Sequence, residues 1–272
     1  MYKLKLYLKP KTEQYLYNKP YGYVFRGYLM NWLNEIAPEE VHNIHEYNCI
    51  RPYSINSHYK RKEHLLELTF ITFNSNLGEL LYNNILEDNK FILKLRDNTF
   101  NIKHIEYGPI NLKEIFENAN PVQKFSIYFP KPTYFNTSKG DYPIRIPIPT
   151  ILFSNICTLW NSISNQKQNI NKNQFINWLE THMYLSGHKI QTIPLTIGKE
   201  MPVVGFKGHT SFIIKELNYN FYEDNTVEDA QEDFYSNCTW IDFLCKISEY
   251  TNVGVNRTAS FGITDYYPET YF

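Results

Sequence analysis

Two histidines and an arginine lie close together in the N-terminal part of the chain, at His42, His45 and Arg51. A histidine side chain can accept or donate a proton near neutral pH, because its unperturbed pKa is about 6.5. An arginine stays charged, and its planar guanidinium group can donate two parallel hydrogen bonds to a phosphate. These residue types suit acid–base chemistry on a phosphate group, and they are equally typical of an exposed loop. A metal site is unsupported, since two histidines without obvious further ligands hold a metal ion poorly.

Other candidates for phosphate binding are basic or small polar residues in predicted turns and loops. They are Lys60, Arg61, Lys62, Lys139, Arg145, Lys207, Gly254, Arg257, Thr258 and Ser260. The first three form a compact basic turn, and the last four form a glycine-rich loop that can present backbone N–H groups and one guanidinium. A run of charge is also typical of an ordinary solvated surface, so the residues alone leave both interpretations open.

Motifs of the common metal and nucleotide enzymes do not occur in the sequence. There is no P-loop, no GxSxG elbow, no HExxH pair and no carboxylate cluster suited to two metal ions. We therefore predict no metal and no cofactor, a prediction that fits both metal-free catalysis and a protein without catalysis.

Composition narrows the class of protein. The chain has 272 residues, of which 43% are hydrophobic, enough for one large domain or two of ordinary size. The formal net charge is -1, so binding to a nucleic acid must depend on a local patch. No run approaches the roughly 20 apolar residues that span a bilayer, and the alternating N-terminus is unlike a signal peptide. We expect a soluble, cytoplasmic protein whose four cysteines are buried thiols.

The first part of the chain predicts the order β-α-β-β-α-β. Leu4, Leu6 and Leu8 alternate with lysines, the period-two pattern of a half-buried strand. Apolar residues at three- and four-residue spacing from Val24 to Ile36 predict a helix, which Pro38 closes. There follow a loop with both histidines, a strand from Cys49, the basic turn, a further strand, a second helix and two more strands. This is the order of a ferredoxin-like domain, which we expect over residues 1–119.

A second unit of the same kind is expected over residues 120–272. Phe125, Ile127 and Phe129 alternate as a strand, and a proline-rich passage leads to an amphipathic helix from Leu152 to Ile163. A shorter helix follows, and another is centred near Trp240. The later strands are predicted at 189–195, 202–206, 211–217 and 260–263. The predicted fold class is therefore α+β, with two tandem ferredoxin-like domains.

Three stretches resemble the Cas-six family of CRISPR-associated endoribonucleases, which belong to the RAMP proteins. HEYNCIRPYSIN (His45–Asn56) is similar to the family's pattern of histidine, spacer, basic residue, proline, aromatic and Ser/Thr after the first helix. FSIYFPKPTYF (Phe125–Phe135) resembles the strand that opens the family's second domain. VVGFKGHTSF (Val203–Phe212) and VGVNRTASFGI (Val253–Ile263) form the third stretch, and the latter resembles the family's C-terminal glycine-rich loop. Both halves of the chain therefore carry the resemblance in the expected order.

Two positions depart from the fullest form of the glycine loop. Asn256 and Ile263 stand where further glycines would be, which puts the path of the backbone in question. In addition, Arg51 occupies a position where many relatives have lysine.

The resemblance implies an activity and a set of catalytic residues. Such enzymes bind CRISPR repeat RNA (pre-crRNA) and cut it without metal, leaving a 2',3'-cyclic phosphate and a 5'-hydroxyl. His45 would be the general acid or base, with His42 as its competitor, and Arg51 would stabilise the phosphate. Tyr28 is a candidate third member because relatives place a tyrosine on the first helix, although it lies on the apolar stripe.

Two alternatives to an endoribonuclease remain open. One is a non-catalytic RNA-binding subunit of a CRISPR effector complex, and the other is a protein-interaction module that binds no RNA. A CRISPR effector complex is accordingly a candidate partner, and the chain is expected to be a monomer or a homodimer without membrane contacts.

Overall fold

The computed structural model describes residues 1–11, 20–45, 50–87, 92–95, 98–136, 142–164, 169–196, 202–222 and 226–272. It divides the chain into two compact units. The first includes Met1–Asn111 and the short stretch Asn256–Phe261, and the second includes Leu112–Leu195, Pro202–Val255 and Gly262–Phe272. Among the described residues, no helix is long and apolar enough to cross a membrane.

The first unit has the predicted ferredoxin-like order. Its elements are β1 (Tyr2–Pro10), α1 (Tyr21–Ile36), α2 (Pro38–His45), β2 (Tyr53–Lys60), β3 (Leu65–Thr72), α3 (Ser75–Glu87), β4 (Ile92–Leu95) and β5 (Asn98–Pro109). The strands form one sheet in the order β2-β3-β1-β5-β4, with β1 antiparallel to both neighbours. Strands β1, β2, β3 and β5 with helices α1 and α3 make the ferredoxin-like pattern, and β4 adds a short edge strand.

The alternation of β1 has the predicted structural effect. Leu4, Leu6 and Leu8 are at most 3% exposed, and Leu6 lies opposite Leu68 of β3. The apolar stripe of α1 belongs to the same hydrophobic cluster, with Leu33 completely enclosed. Full burial of each such side chain stabilises the fold by about 1.5–3 kcal/mol. Helix α1 and the sheet therefore form a stable core for the first unit.

The prediction of a loop around the two histidines is wrong. This stretch is helix α2, and Pro38 is its first residue. Proline suits the first helical position because its missing N–H has no partner to lose there, and the acidic Glu39 and Glu40 favour the positive end of the helix dipole. Pro38 therefore begins a helix two residues after α1 ends. The next strand begins at Tyr53, and Cys49, its predicted start, lies outside the described residues.

The second unit repeats the ferredoxin-like order, as predicted. Its elements are α4 (Leu112–Glu117), β6 (Val122–Thr133), α5 (Pro149–Ile163), α6 (Lys172–His182), β7 (Met183–Thr196), β8 (Pro202–Ile214), α7 (Val227–Thr251) and β9 (Asp265–Tyr271). The strands form a sheet in the order β7-β8-β6-β9. Phe125, Ile127 and Phe129 are fully buried, so the alternation predicted for β6 is confirmed.

The two strands predicted at 202–206 and 211–217 are one continuous strand, β8. Gly208 lies between the two predicted strands. In the structure its φ is +131°, and a Cβ atom at this position would lie 2.1 Å from the carbonyl oxygen of Lys189. The glycine allows the backbone to pass close to β7, so it continues the strand where a larger residue would not fit.

The last strand also differs from the prediction. Residues 260–263 were expected to form it, whereas Arg257–Ala259 is a short 3-10 turn and the final strand is Asp265–Tyr271. Both Asn256 and Ser260, which flank the turn, have left-handed backbone conformations that a strand cannot contain.

His182, at the end of α6, should make the second unit sensitive to acid. Its side chain is completely buried, Nδ1 donates to the carbonyl oxygen of Trp178 at 3.0 Å, and Nε2 has no partner among the described residues. Burial lowers the pKa of His182, an effect that the Trp178 carbonyl and the Asp233 carboxylate partly oppose. Below pH 6.5 the unfolded chain therefore binds a proton that the folded chain resists, and the free energy of unfolding falls.

The measurement is the thermal midpoint at pH 7.5 and at pH 5.5, for the unaltered protein and for His182→Asn. The asparagine keeps a short N–H donor and does not titrate, so we expect a smaller fall in the variant whatever its stability at pH 7.5. An equal fall in both proteins would assign the acid sensitivity to other groups.

Candidate active site

The middle of the glycine-rich loop near the C-terminus, Asn256–Phe261, folds as part of the first unit. Its 3-10 turn, Arg257–Ala259, contacts the start of α1 and strand β2. Asn256 has φ 58°, the left-handed conformation that a glycine would also adopt, and asparagine tolerates it well. The departure at this position therefore leaves the path of the backbone intact.

Arg257 attaches this loop to β2. Its side chain is 6% exposed, and its guanidinium donates to the carbonyl oxygen of Tyr53 at 2.7 Å and to that of Arg51. The same group lies over the ring of Phe73, 5.7 Å from its centre. Burial lowers the pKa of Arg257 to about 10, so it remains a cation at neutral pH. These contacts direct the guanidinium into the protein, although the sequence predicted that it faces a phosphate.

Arg51 continues the connection to α2. Its guanidinium donates to the carbonyl oxygen of Ile44, the residue directly before His45. The last carbonyls of a helix lack partners within the helix and attract positive charge, so an arginine is well suited to this position. The two arginines thus connect the loop to β2 and β2 to the end of α2. His45 is the last residue of α2, and its side chain lies outside the described residues.

Arg26, which was not among the predicted residues, brings a third guanidinium to the same place. It is the one basic residue of α1, half-buried, with its guanidinium 5.0 Å from the ring centre of Tyr23 and Nη1 3.4 Å from Oγ1 of Thr258. Among the described residues, no carboxylate lies within ion-pair distance of it. The sequence signal available for Arg26 was that it is the one basic residue of a largely apolar helix.

Tyr53 lies at the centre of these charges. Burial raises the pKa of its phenol, while Arg26, Arg51 and Arg257 partly oppose that effect. The phenol is therefore neutral, and its O–H lies 3.9 Å from the sulfur of Met30. Three guanidinium groups acting on one buried ring mark this end of β2 as a concentration of positive charge within a protein of net charge -1.

Ser260 holds the other side of the loop. Its hydroxyl accepts from the backbone N–H of Ser57 at 2.6 Å and lies 3.0 Å from the Ser57 hydroxyl. It also lies against Gly22 of α1, where an added Cβ atom would be 2.3 Å from Ser260 Cβ and 2.9 Å from the Ala259 carbonyl oxygen. The loop therefore approaches α1 as closely as a glycine allows.

This close approach gives a matched pair of substitutions in α1. Gly22→Ala should displace the loop and lower the stability of the first unit by about 1–3 kcal/mol, with a loss of activity. Gly27→Ala, in the same helix, meets nothing within 4 Å and should raise stability by about 0.5–1 kcal/mol through helix propensity alone. Denaturant midpoints of the two variants test this, and a stabilising Gly22→Ala would contradict the close contact.

The other predicted residues of the first unit are Tyr28, His42 and the basic turn. Tyr28 is half-buried and packs against the hydrophobic cluster, and His42 is exposed on α2. The basic turn was expected beside the site, but Lys60 ends β2 at the far side from Tyr53, about 23 Å away at the usual rise per residue. Lys60 also forms an ion pair with Glu67 at 2.7 Å. Arg61 and Lys62 are exposed.

The remaining candidates belong to the second unit. Arg145 is exposed and donates to the carbonyl oxygen of Val204 at 3.3 Å, and Lys207 is half-buried on β8. The backbone N–H of Gly254 donates to Oδ1 of Asn155 at 2.7 Å, so this N–H already has a partner within the protein. Lys139 lies outside the described residues. None of these residues has a contact that tests an RNA-binding role, which stays a prediction.

Comparisons with known proteins agree on one family. The sequence model described as CRISPR-associated endoribonuclease Cas6 matches residues 127–264, just over half of the chain. A Thermus thermophilus Cas6 in a product complex is similar over 97% of this chain and 99% of its own, with a TM-score of 0.76 and 16% identity. A second Thermus Cas6 product complex covers 99% and 100%, with a TM-score of 0.71 and 15% identity.

A more distant likeness extends to the Cas6-related protein of Pyrococcus furiosus. It covers 98% of this chain and 99% of its own, with a TM-score of 0.52 and 12% identity. No curated protein matches the chain. At these identities the structural likeness establishes the fold, and the sequence model establishes the family.

Proposed function

We propose, since the chain belongs to the family of CRISPR-associated Cas6 endoribonucleases, that it cuts CRISPR repeat RNA into guide units. In the proposed reaction the 2'-hydroxyl attacks the neighbouring phosphate, so that a P–O bond forms to the 2'-oxygen and the bond to the 5'-oxygen breaks. The proton of the 2'-hydroxyl passes to a base, and the 5'-oxygen takes a proton from an acid. The products are a 2',3'-cyclic phosphate and a 5'-hydroxyl, and no metal takes part.

The observation that carries this proposal is the concentration of arginines beside the end of α2. Arg26, Arg51 and Arg257 all act electrostatically on Tyr53, and Arg51 holds the backbone next to His45. The transition state of the reaction gathers negative charge on the phosphate oxygens. Fixed positive charges placed before the reaction stabilise such a transition state without reorganising at the moment of attack.

Different roles follow for the three arginines and for His45. Arg257 and Arg51 hold the main chain, so we assign to them the positioning of the β2 start and the α2 end. Arg26, whose contacts are a ring face and a hydroxyl group, is the candidate for direct contact with a phosphate. His45 is the candidate general acid or base, a role that contributes about 10²–10⁴ to the rate.

The similar solved structures suggest how the RNA is engaged. They include Cas6 proteins in product complexes and one in a complex with a substrate mimic. We propose that this chain likewise binds both the repeat RNA and the product of its cleavage.

A test of the proposed reaction is a single 2'-deoxy substitution in the repeat RNA. The cut is first mapped on an unmodified, end-labelled repeat, and the nucleotide on its 5' side is then replaced by its 2'-deoxy form. We expect binding to survive and cutting at that position to stop, whereas a 2'-deoxy substitution one nucleotide away leaves the cut unchanged. Cutting that persists would exclude 2'-hydroxyl attack. Tight binding of the unmodified RNA without any cutting would favour the non-catalytic RNA-binding subunit.

A further inference from the structure

A cleft in the second unit has a lining that suits a nucleobase. It has a volume of about 530 Å³ and lies between α6, α7 and the short 3-10 turn Tyr219–Tyr222. Five carboxamide side chains and five aromatic rings line it, together with the carboxylate of Asp233. In the described part of the chain, no lysine or arginine contributes to the lining. The cleft is thus of a size for a nucleoside, with no cation to hold a phosphate.

The floor of the cleft is a fixed chain of hydrogen bonds. The indole N–H of Trp178 donates to the hydroxyl of Tyr222 at 2.9 Å, and that hydroxyl donates to Oδ2 of Asp233 at 2.8 Å. The side-chain amide of Asn237 donates to the same oxygen at 2.9 Å. Burial and, to a lesser extent, the hydrogen bond and charge of Asp233 raise the pKa of Tyr222. The Tyr222 hydroxyl therefore keeps its proton, and every hydrogen bond of the series points toward Asp233.

Asp233 is left with one oxygen for a ligand. Both donors reach Oδ2, and within the described part of the chain Oδ1 accepts no hydrogen bond. The residue is exposed, so a molecule in the cleft can reach it. A fixed carboxylate oxygen accepts well from an amino group and repels a carbonyl oxygen.

The rings and amides complete the match to a base. Phe221, 38% exposed, presents a ring at the surface of the cleft, and aromatic faces hold unpaired bases by stacking. The carboxamides of Gln174 and Asn177, on α6, offer both donors and acceptors, as the edge of a base requires. Adenine, cytosine and guanine carry an exocyclic amino group, and uracil carries carbonyl oxygens in its place.

We propose that this cleft binds a single unpaired nucleobase that carries an amino group, with Asp233 Oδ1 accepting from that group and Phe221 stacking on the ring. The source of the base is an unpaired nucleotide of the bound repeat RNA, and this part of the inference rests on the proposed function. The chemistry of the cleft itself does not, because a free nucleoside offers the same ring and the same amino group.

Two substitutions and two controls test the cleft. Asp233→Asn replaces the carboxylate at constant size, and its control is Glu232→Gln, the exposed neighbour on α7 that does not line the cleft. Phe221→Ala removes the exposed ring, and its control is Tyr219→Ala in the same turn, also outside the lining. Thermal midpoints of all four should lie close to that of the unaltered protein.

The measurements are the affinity for labelled repeat RNA and the affinity for free adenosine, cytidine, guanosine and uridine at millimolar concentration. We expect both cleft variants to weaken RNA binding by about 10-fold, with the affinity of both controls unchanged. Free nucleosides with an amino group should bind better than uridine to the unaltered protein, and this preference should disappear in Asp233→Asn.

The outcomes separate the cleft from the source of its base. Nucleoside binding that depends on both residues, with unchanged affinity for RNA, would keep the cleft and overturn the RNA source. The same nucleoside result in a protein that binds no repeat RNA would sink the proposed function and leave the cleft standing. Uridine bound as tightly as the others, or no effect of either variant in both assays, would overturn the proposal.

Discussion

His45→Ala is expected to slow the cutting of repeat RNA by about 10²-fold or more. The residue ends α2, directly after the carbonyl group that Arg51 holds, so its backbone position is fixed by a charged hydrogen bond. Removal of the imidazole takes away a proton donor or acceptor and leaves the hydrogen bond from Arg51 to the Ile44 carbonyl in place. Single-turnover cleavage with excess protein measures the effect on the chemical step, and RNA affinity should change little.

His42→Ala provides the matched control for this prediction. His42 lies three residues earlier on the same short helix and is exposed. We expect the His42→Ala variant to cut repeat RNA at a rate close to that of the unaltered protein. If His42→Ala loses activity and His45→Ala keeps it, the catalytic role moves to His42.

Arg257→Gln is expected to have the second large effect, through the fold of the site. The substitution removes a buried cation that donates to the carbonyls of Tyr53 and Arg51, and glutamine can replace only one of these bonds. Loss of a hydrogen bond from a charged donor to a buried acceptor costs about 1.5–3 kcal/mol. The first unit should lose about this much stability, and cutting should slow by at least about 10-fold because the start of β2 and the end of α2 are no longer held.

The salt dependence of RNA binding separates this positioning role from contact with phosphate. A residue that binds a phosphate contributes about one to the slope of log affinity against log salt concentration. We expect Arg257→Gln to leave the slope unchanged, because the guanidinium is 6% exposed and faces main-chain carbonyls. Arg61→Gln is the exposed comparison, and its slope should fall if the basic turn contacts RNA. A slope reduced by about one in Arg257→Gln would contradict the positioning role.

Local pattern predicted much of the fold because the elements concerned are strongly periodic. Leu4, Leu6 and Leu8 alternate without interruption, and the structure buries all three. Short or interrupted elements were predicted less well. Helix α2 has 8 residues, fewer than the roughly 11–18 over which an apolar helical period can be recognised. Pro38 was taken only as the end of the preceding helix, although it also begins the next. Strand β8 was predicted as two strands because the neighbouring strand that passes close to Gly208 is not visible in the local sequence.

The sequence predicted which residues belong to the candidate site better than it predicted what those residues contact. Arg51 and Arg257 were both identified, yet each was assigned to phosphate, whereas the structure joins them to main-chain carbonyls. The partners of Arg257 lie more than 200 residues away in the sequence, a distance over which spacing gives no information. Arg26 was overlooked for the same reason, since its importance comes from Thr258, which the fold brings to α1.

The most direct test of the central claim is cleavage of an end-labelled CRISPR repeat RNA by the unaltered protein in excess EDTA, with analysis of the product ends. We predict one major cut, a 2',3'-cyclic phosphate on the upstream fragment and a 5'-hydroxyl on the downstream fragment, at a rate that added magnesium does not change. Cutting that requires the metal, or that leaves a 5'-phosphate and a 3'-hydroxyl, would contradict the proposed mechanism.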